Sequence, residues 1–369
     1  MSFCMLVGSM LAALTVTWND AMQLLSTIIH STKKVLKWWH LWIGTSCVLV
    51  PTLVYSWIVH DGDVSYGRLD SIPPVEVTWY HVLAPAVLLI LTRYGIPVST
   101  SFLVLSVFSP AVVLEKMLTK SCLGLVVALC FAFVIWFGLA KLVLKIPNVK
   151  KRLTPRVDFW ARIAQVCSTA LLWSMWLKHD MANIAVFLPR SLPLWMLCFV
   201  IIVMIASLGY VFKTDGGRIS KLVTSKTNTQ FVISATAIDL VYALILWQFK
   251  MVNNIPMSTT WVFIGLLIGR EIAIRNVLTT KSARKLIPMI IADLAKLVLG
   301  AVVSVLLVYW IVGQVETITR LTSGLSVTAL GVVGAGAIGV VSLMLWASWV
   351  HHRGEAHVEG APATTESLP

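Results

Sequence analysis

The chain has 369 residues, of which 58% are hydrophobic and only 12% charged, and its mean hydropathy is +0.87. Soluble domains carry about 25% charge, so a soluble globular class is excluded and a polytopic, all-α membrane protein is indicated, with each backbone polar group satisfied inside its own helix. The net charge of +13 and the pI near 9.6 fit basic cytoplasmic loops rather than a nucleic-acid-binding surface, because Lys and Arg collect on the inner side of membrane proteins.

Segment 3–30 is apolar but interrupted at Trp18-Asn19-Asp20-Ala21-Met22-Gln23. Its first basic residue is Lys33, so no charged region precedes the apolar run and a signal peptide is not expected. Lys33, Lys34 and Lys37 follow, then a span at 40–59. The loop 60–78 sets Asp61, Asp63, Asp70 and Glu76 against the single Arg68. Two apolar arms, 79–94 and 97–113, meet at Ile96-Pro97, and a span at 121–143 leads into the most basic loop, with Lys141, Lys145, Lys150, Lys151, Arg152, Arg156 and Arg162.

The second half opens with segment 160–177, interrupted at Lys178-His179-Asp180-Met181-Ala182-Asn183. A span at 194–212 leads to Lys213, Arg218, Lys221 and Lys226. Arms 230–251 and 256–274 meet at Ile255-Pro256, and spans at 287–312 and 324–349 precede a polar tail. Cys47, Cys122, Cys130, Cys167 and Cys198 lie inside apolar runs without paired spacing, which predicts neither a disulfide framework nor a zinc site.

Two features recur in the same order. Asp20 lies 77 residues before Pro97, and Asp180 lies 76 before Pro256. Each proline is followed by a hydroxyl triplet, Ser99-Thr100-Ser101 and Ser258-Thr259-Thr260. Matching motif, order and spacing argue for duplication. With the basic loops inside and the acidic loop 60–78 outside, the two halves run in opposite senses, as in secondary transporters. The expected plan is a first repeat over 1–145, a basic cytoplasmic loop over 146–162, an inverted second repeat over 163–315, a final span over 316–350 and a tail over 351–369. Roughly 10–12 membrane segments, including broken helices and helical hairpins, follow from that plan.

A proline is tolerated in a helix's first turn but blocks its extension backward. Each Ile-Pro therefore predicts a new helix start, with the hydroxyls on its first turn beside unpartnered N–H groups. Inside a membrane such a start suits an anion. A carboxylate at mid-membrane costs roughly 2.5–3.5 kcal/mol on insertion scales, so Asp20 and Asp180 are expected to serve a function. With Asn19, Gln23, His179 and Asn183 nearby in sequence, they form a ligand set for a hard cation such as Na⁺, or a proton relay.

These residues resemble the inorganic phosphate transporter family over about residues 10–310. Each family repeat has an Asn-Asp-x-x-Asn-type motif and a later Pro-[Val/Ile]-Ser-Thr-Thr-His-type motif. The resemblance implies import of inorganic phosphate coupled to Na⁺ or H⁺, in a cell membrane, with no cofactor and no enzymatic step; it admits a homodimer. It implies that Asn19, Asp20, His179 and Asp180 hold the coupling ion. Ser99, Thr100, Ser101, Ser258, Thr259 and Thr260 would then hold the oxyanion, helped by Gln23 and Asn183.

The chain departs from the pattern at four places: Gln23 and His179 replace Asn, and Phe102 and Trp261 replace the terminal His of each triplet motif. The last two make sulfate the alternative substrate, and His179 admits proton coupling because imidazole titrates near neutral pH. Asp239, 17 residues before Pro256, is a further site candidate.

Membrane aspartates also admit an intramembrane aspartyl protease, whose usual Gly-Asp context is absent, an anion channel, and a non-transporting anion receptor. Asp293 and Lys296 read as an internal ion pair. Gly334-Ala335-Gly336-Ala337-Ile338-Gly339 reads as close helix packing, and His351, His352 and His357 as part of a solvated tail.

Overall fold

The computed structural model describes residues 2–33, 35–93, 98–109, 111–145, 155–216, 220, 232–252, 254, 256–278 and 283–315. All regular structure among them is helical. In chain order the helices are α1 (Phe3–Thr15), α2 (Ala21–Thr32), α3 (Trp38–Val59), α4 (Trp79–Arg93), α5 (Ser106–Phe108), α6 (Ala111–Lys145), α7 (Pro155–Asp180), α8 (Ala182–Ala185), α9 (Leu194–Lys213), α10 (Val232–Val252), α11 (Thr259–Leu278) and α12 (Ala283–Val315). π turns occupy Val16–Asp20 and Ser101–Leu105.

Six of the described helical segments are long and apolar enough to cross a membrane: Phe3–Thr32, Trp38–Val59, Val112–Lys141, Leu194–Lys213, Val232–Phe249 and Ile290–Trp310. Apolar Trp79–Thr92 is shorter. Their outward faces carry large apolar side chains such as Ile43, Ile58, Val134, Ile202 and Leu306, while polar residues turn inward. The stretch from α1 through the π turn into α2 buries Thr15, Thr17, Asn19, Asp20, Gln23, Ser26 and Thr27. This apolar-out, polar-in distribution suits lipid as the solvent. The chain is a polytopic helical membrane protein.

Corresponding helices of the two halves run antiparallel. On α3, Trp42 Nε1 donates to the Ile205 carbonyl (2.8 Å) near the end of α9, and Trp57 Nε1 to the Leu192 carbonyl (2.7 Å) just before α9 begins. The segment α1–α2 and helix α7 are opposed in the same way. Gly8 sits against Phe187, and Gln165 Nε2 donates to Ser31 Oγ at the other end. The exposed Lys33–Asp215 pair (2.6 Å) ties the turns after α2 and α9 together at one end. At the opposite end loop 60–72 meets loop 186–193, with Leu192 N donating to Gly62 O (3.0 Å) and Arg190 Nη2 to Ile72 O (2.8 Å). Basic turns thus lie at one end and the acidic loop at the other, as inverted halves require.

Helices α6 and α11 pack closely because α11 carries Gly265 and Gly269, one turn apart. A Cβ on either would overlap the Leu125 or Leu129 carbonyl of α6, which is the close approach that a Gly-x-x-x-Gly face permits.

Several expected boundaries are corrected. Segment 3–30 is not broken at Asp20: α1 and α2 are joined by the π turn, which adds one residue to the helix without ending it. Segment 160–177 likewise continues beyond its expected end, through Asp180 into α8. The arm expected over 97–113 ends at Phe108, because Ser109 is extended (φ −95°, ψ 138°), as residues before proline tend to be.

Helix α6 begins at Ala111 rather than 121; Glu115 and Lys116 dilute its apolar signal but face outward. Helix α7 begins at Pro155, inside the stretch expected as loop 146–162. There Asp158 lies in the first turn, where the helix dipole favours it, and Arg162 Nε pairs with it at 2.8 Å. All six cysteines are free. Pro97, the span 324–349, the glycine-rich run at 334–339, the tail histidines and the side chains of Asp293 and Lys296 lie outside the described residues.

Candidate functional site

Both hydroxyl triplets open a helical segment in the same way. Ser99 Oγ accepts from Phe102 N and Ser258 Oγ from Trp261 N, each at 3.2 Å. These serines are N-cap residues, one position before the first turn where the sequence placed them. Each hydroxyl, serving as an acceptor, keeps its own proton to donate. A second anchor holds the later triplet: Ser258 N donates to Ser121 Oγ on α6 (2.8 Å).

The triplets converge on the two aspartates from both halves. Ser101 Oγ donates to Asp180 Oδ1 (3.2 Å) and Thr259 Oγ1 to Asp180 Oδ2 (2.7 Å). Asn183 Nδ2 also donates to Asp180 Oδ1 (3.1 Å). On the other side, Thr260 Oγ1 lies 3.5 Å from Asp20 Oδ1, which also takes Asn19 Nδ2 at 2.8 Å. The same Asn19 amide reaches Val98 O (2.7 Å) and Thr100 Oγ1 (3.4 Å), and Gln23 Nε2 reaches Thr260 Oγ1 (3.3 Å). Each carboxylate therefore receives a hydroxyl from the opposite half, and all these side chains are buried.

Three oxygens in this cluster are buried without a hydrogen-bond donor: Asn19 Oδ1, Asp20 Oδ2 and Asn183 Oδ1. A buried acceptor left unmatched costs about 1–3 kcal/mol. Unmatched oxygens of carboxylate and carboxamide type are ligands for a hard cation. The donor set fits Na⁺.

The structure brings together Asn19, Asp20, Gln23, Ser99, Thr100, Ser101, Asp180, Asn183, Ser258, Thr259 and Thr260. It does not bring in His179 or Asp239. His179 Nε2 lies 2.8 Å from the Leu246 carbonyl on α10, and its Nδ1 lies 2.6 Å from Arg68 Nη2. Arginine has no acceptor, so the geometry assigns Nδ1 as an unprotonated acceptor and Nε2–H as the donor to Leu246 O. A doubly protonated ring would press an N–H against the guanidinium. Asp239 is held apart by Thr27 Oγ1 (2.8 Å) and Thr169 Oγ1 (2.5 Å), between α2, α7 and α10.

Phe102 and Trp261, which stand in place of the two motif histidines, pack on each other with ring centroids 5.5 Å apart. An aromatic contact thus occupies positions where the resemblance implied two imidazoles.

Arg68 was missed by sequence reasoning. It is fully buried although it comes from loop 60–78. Burial pulls its guanidinium down to about 9, against the opposing pull of the Asp180 carboxylate. The signal for it was one arginine among four acidic residues, read there as loop charge. Tyr242 was missed too; its hydroxyl donates to Thr259 O (2.8 Å) and steadies the second triplet.

A solved structure described as "The sodium-dependent phosphate transporter" matches with a TM-score of 0.56, covering 85% of this chain and 100% of its own at 16% identity. This chain has that transporter's fold. No protein-family model and no curated protein matches the sequence. The phosphate-transporter fold agrees with the resemblance carried by the paired motifs. Within that fold, the described cluster joins residues of both halves at one buried locus.

Proposed function

We propose that the chain is a secondary active transporter of the cell membrane that imports an inorganic oxyanion, phosphate first, together with Na⁺. The observation that carries this reading is the convergence of both hydroxyl triplets on Asp20 and Asp180, beside three buried oxygens with no donor. The fold likeness to a sodium-dependent phosphate transporter supports it. The repeats are taken as 1–145 and 163–315, related by inversion.

Coupling follows from proton counting. A hydroxyl has one proton, and Ser101, Thr259 and Thr260 direct theirs to carboxylates. A cation among Asn19 Oδ1, Asp20 Oδ2 and Asn183 Oδ1 offsets that negative charge, so the hydroxyls can turn to an anion. Ser99 and Ser258, at the two helix starts, donate to it as well. An anion arriving without the cation would meet two carboxylates and few spare donors. Na⁺ is preferred over H⁺ because His179, the group that admitted proton coupling, faces Arg68 instead of the cluster.

Sulfate is the second reading, favoured by the Phe102–Trp261 contact at the former histidine positions. Competition uptake into proteoliposomes, phosphate against sulfate, separates the two: phosphate should displace labelled phosphate at far lower concentration than sulfate does. The reverse order would give the site to sulfate. Saturable binding of either anion with no flux would instead indicate a receptor.

A further inference from the structure

We infer that Arg270 and Ser234 form a second oxyanion subsite, set between the buried cluster and the basic-turn end of the protein. It takes a phosphate-type group, either free phosphate or the phosphate of a lipid headgroup, and goes beyond the transport site proposed above.

Arg270 lies on α11, the helix that the second triplet opens, eleven residues beyond Thr259 (270 − 259 = 11). At about 1.5 Å per residue it stands about 16 Å further along the axis. α11 runs parallel to α6, since Gly265 meets Leu125 and Gly269 meets Leu129, and α6 runs toward Lys141 and Lys145. Arg270 is therefore on the basic-turn side, which the charge rule makes cytoplasmic. Ser234 comes from the first turn of α10, a helix that then carries Asp239 and reaches the second triplet through Tyr242.

The Arg270 residue is only 4% exposed, yet its N–H groups are scarcely used. Nη2 lies 3.4 Å from Ser234 Oγ, at the long limit of a hydrogen bond, and Nη1 lies 3.9 Å from Glu271 Oε2, outside hydrogen-bond reach. Nε has no hydrogen-bond partner among the described residues. Nε and Nη2 share the guanidinium edge whose two N–H bonds point the same way, the edge that grips two oxygens of one phosphate. Ser234 Oγ is the acceptor in its contact, so its own proton remains for a third bond. Glu271 stands at Nη1, away from the paired edge, and offsets the charge without filling that edge. Unmatched donors on a buried cation are costly, and an oxyanion seated on Nε, Nη2 and Ser234 Oγ matches them.

The test uses the full-length protein in dodecyl maltoside, a detergent without phosphate, and reads binding of ³²P-labelled phosphate in the absence of Na⁺. Wild type and Asp20→Asn should each take one equivalent. Arg270→Gln should weaken it by about 10-fold or more, and Ser234→Ala by roughly 3-fold, since it removes one hydrogen bond. R270K, which cannot make the paired contact, should not restore wild-type affinity. Native mass spectrometry separates the two sources. A phospholipid retained by wild type and lost in R270Q, with phosphate binding gained only after delipidation, assigns the subsite to a headgroup; phosphate binding with no retained lipid assigns it to free phosphate. R270Q that matches wild type in both readouts overturns the inference, as does a wild type that takes neither ligand. Should R270Q not be monodisperse, R270Q/E271Q and S234A carry the test, and wild-type affinity in either overturns the inference. Should the cluster itself bind phosphate without Na⁺, contrary to the transport reading, wild type takes two equivalents and R270Q one, so the two readings fail separately.

Discussion

Asp20 and Asp180 occupy matching places in two similar halves, yet their surroundings have diverged. Asp180 is enclosed by Ser101, Thr259 and Asn183, and both its oxygens are hydrogen-bonded. Asp20 sits in a π turn with one oxygen unmatched. The backbone device differs as well: the first half widens its helix at the carboxylate, whereas the second carries on through Met181 into a short extra turn. The lesson is that a duplicated motif can be held in two ways, one carboxylate fully hydrogen-bonded and the other keeping an unmatched oxygen.

The comparison can be broken most sharply at Asp20. If its side holds the exchangeable cation, Asp20→Asn should lower Na⁺-driven uptake on the order of 100-fold, as expected when about 2–3 kcal/mol of site energy is lost. Normal uptake by a correctly inserted D20N would remove the distinction between the two sides.

Packing gives the next largest effect. Gly269→Val places a side chain against the Leu129 carbonyl. Overpacking typically costs about 1–3 kcal/mol, and the thermal unfolding midpoint in detergent should fall clearly, while the same change at Gly138, which faces open space, should not lower it.

Smaller effects belong to single hydroxyls. Thr259→Val and Ser101→Ala each remove one hydrogen bond to Asp180 and one anion donor. Each should raise the apparent KM for the anion by roughly 5–10-fold, since a hydrogen bond to a charged group is worth about 1.5–3 kcal/mol before compensation. Thr169→Val, beside Asp239 and outside the cluster, should leave that KM unchanged and lower stability alone.

The smallest effect is at the loop that carries Arg68. Burial pushes the Tyr66 phenol from its ordinary 10 up to about 12. An acid with a raised folded pKa is stabilised in its protonated form, so the contribution is complete below pH 10 and lost as pH rises through about 12. The local stability of loop 60–72, read as proteolytic susceptibility at each pH relative to Tyr66→Phe, should therefore fall over that window in wild type, and the fall should be absent in Tyr66→Phe.

Much of this was legible in the sequence. Long apolar runs gave the membrane class. The paired Asp and Ile-Pro spacing pointed to two opposed halves, and all eleven clustered residues lie in the aspartate and hydroxyl motifs, Gln23 and Asn183 closing the two aspartate motifs. What escaped it depends on tertiary direction. His179 adjoins Asp180 in sequence, but neighbours on a helix point to different faces, and it turned to Leu246 and Arg68. Arg68 lay in a loop whose inward course depends on Asp63 and two left-handed residues. The π turn escaped because it leaves no compositional mark: polar residues that read as a break are equally compatible with a continuous, widened helix.

The central claim is tested most directly by uptake of ³²P-labelled phosphate into proteoliposomes, with an inward Na⁺ gradient and with an inward H⁺ gradient imposed separately. Wild type should concentrate phosphate under the Na⁺ gradient alone, and D20N should not. Uptake that ignores the Na⁺ gradient, or that D20N performs as well as wild type, would contradict the account.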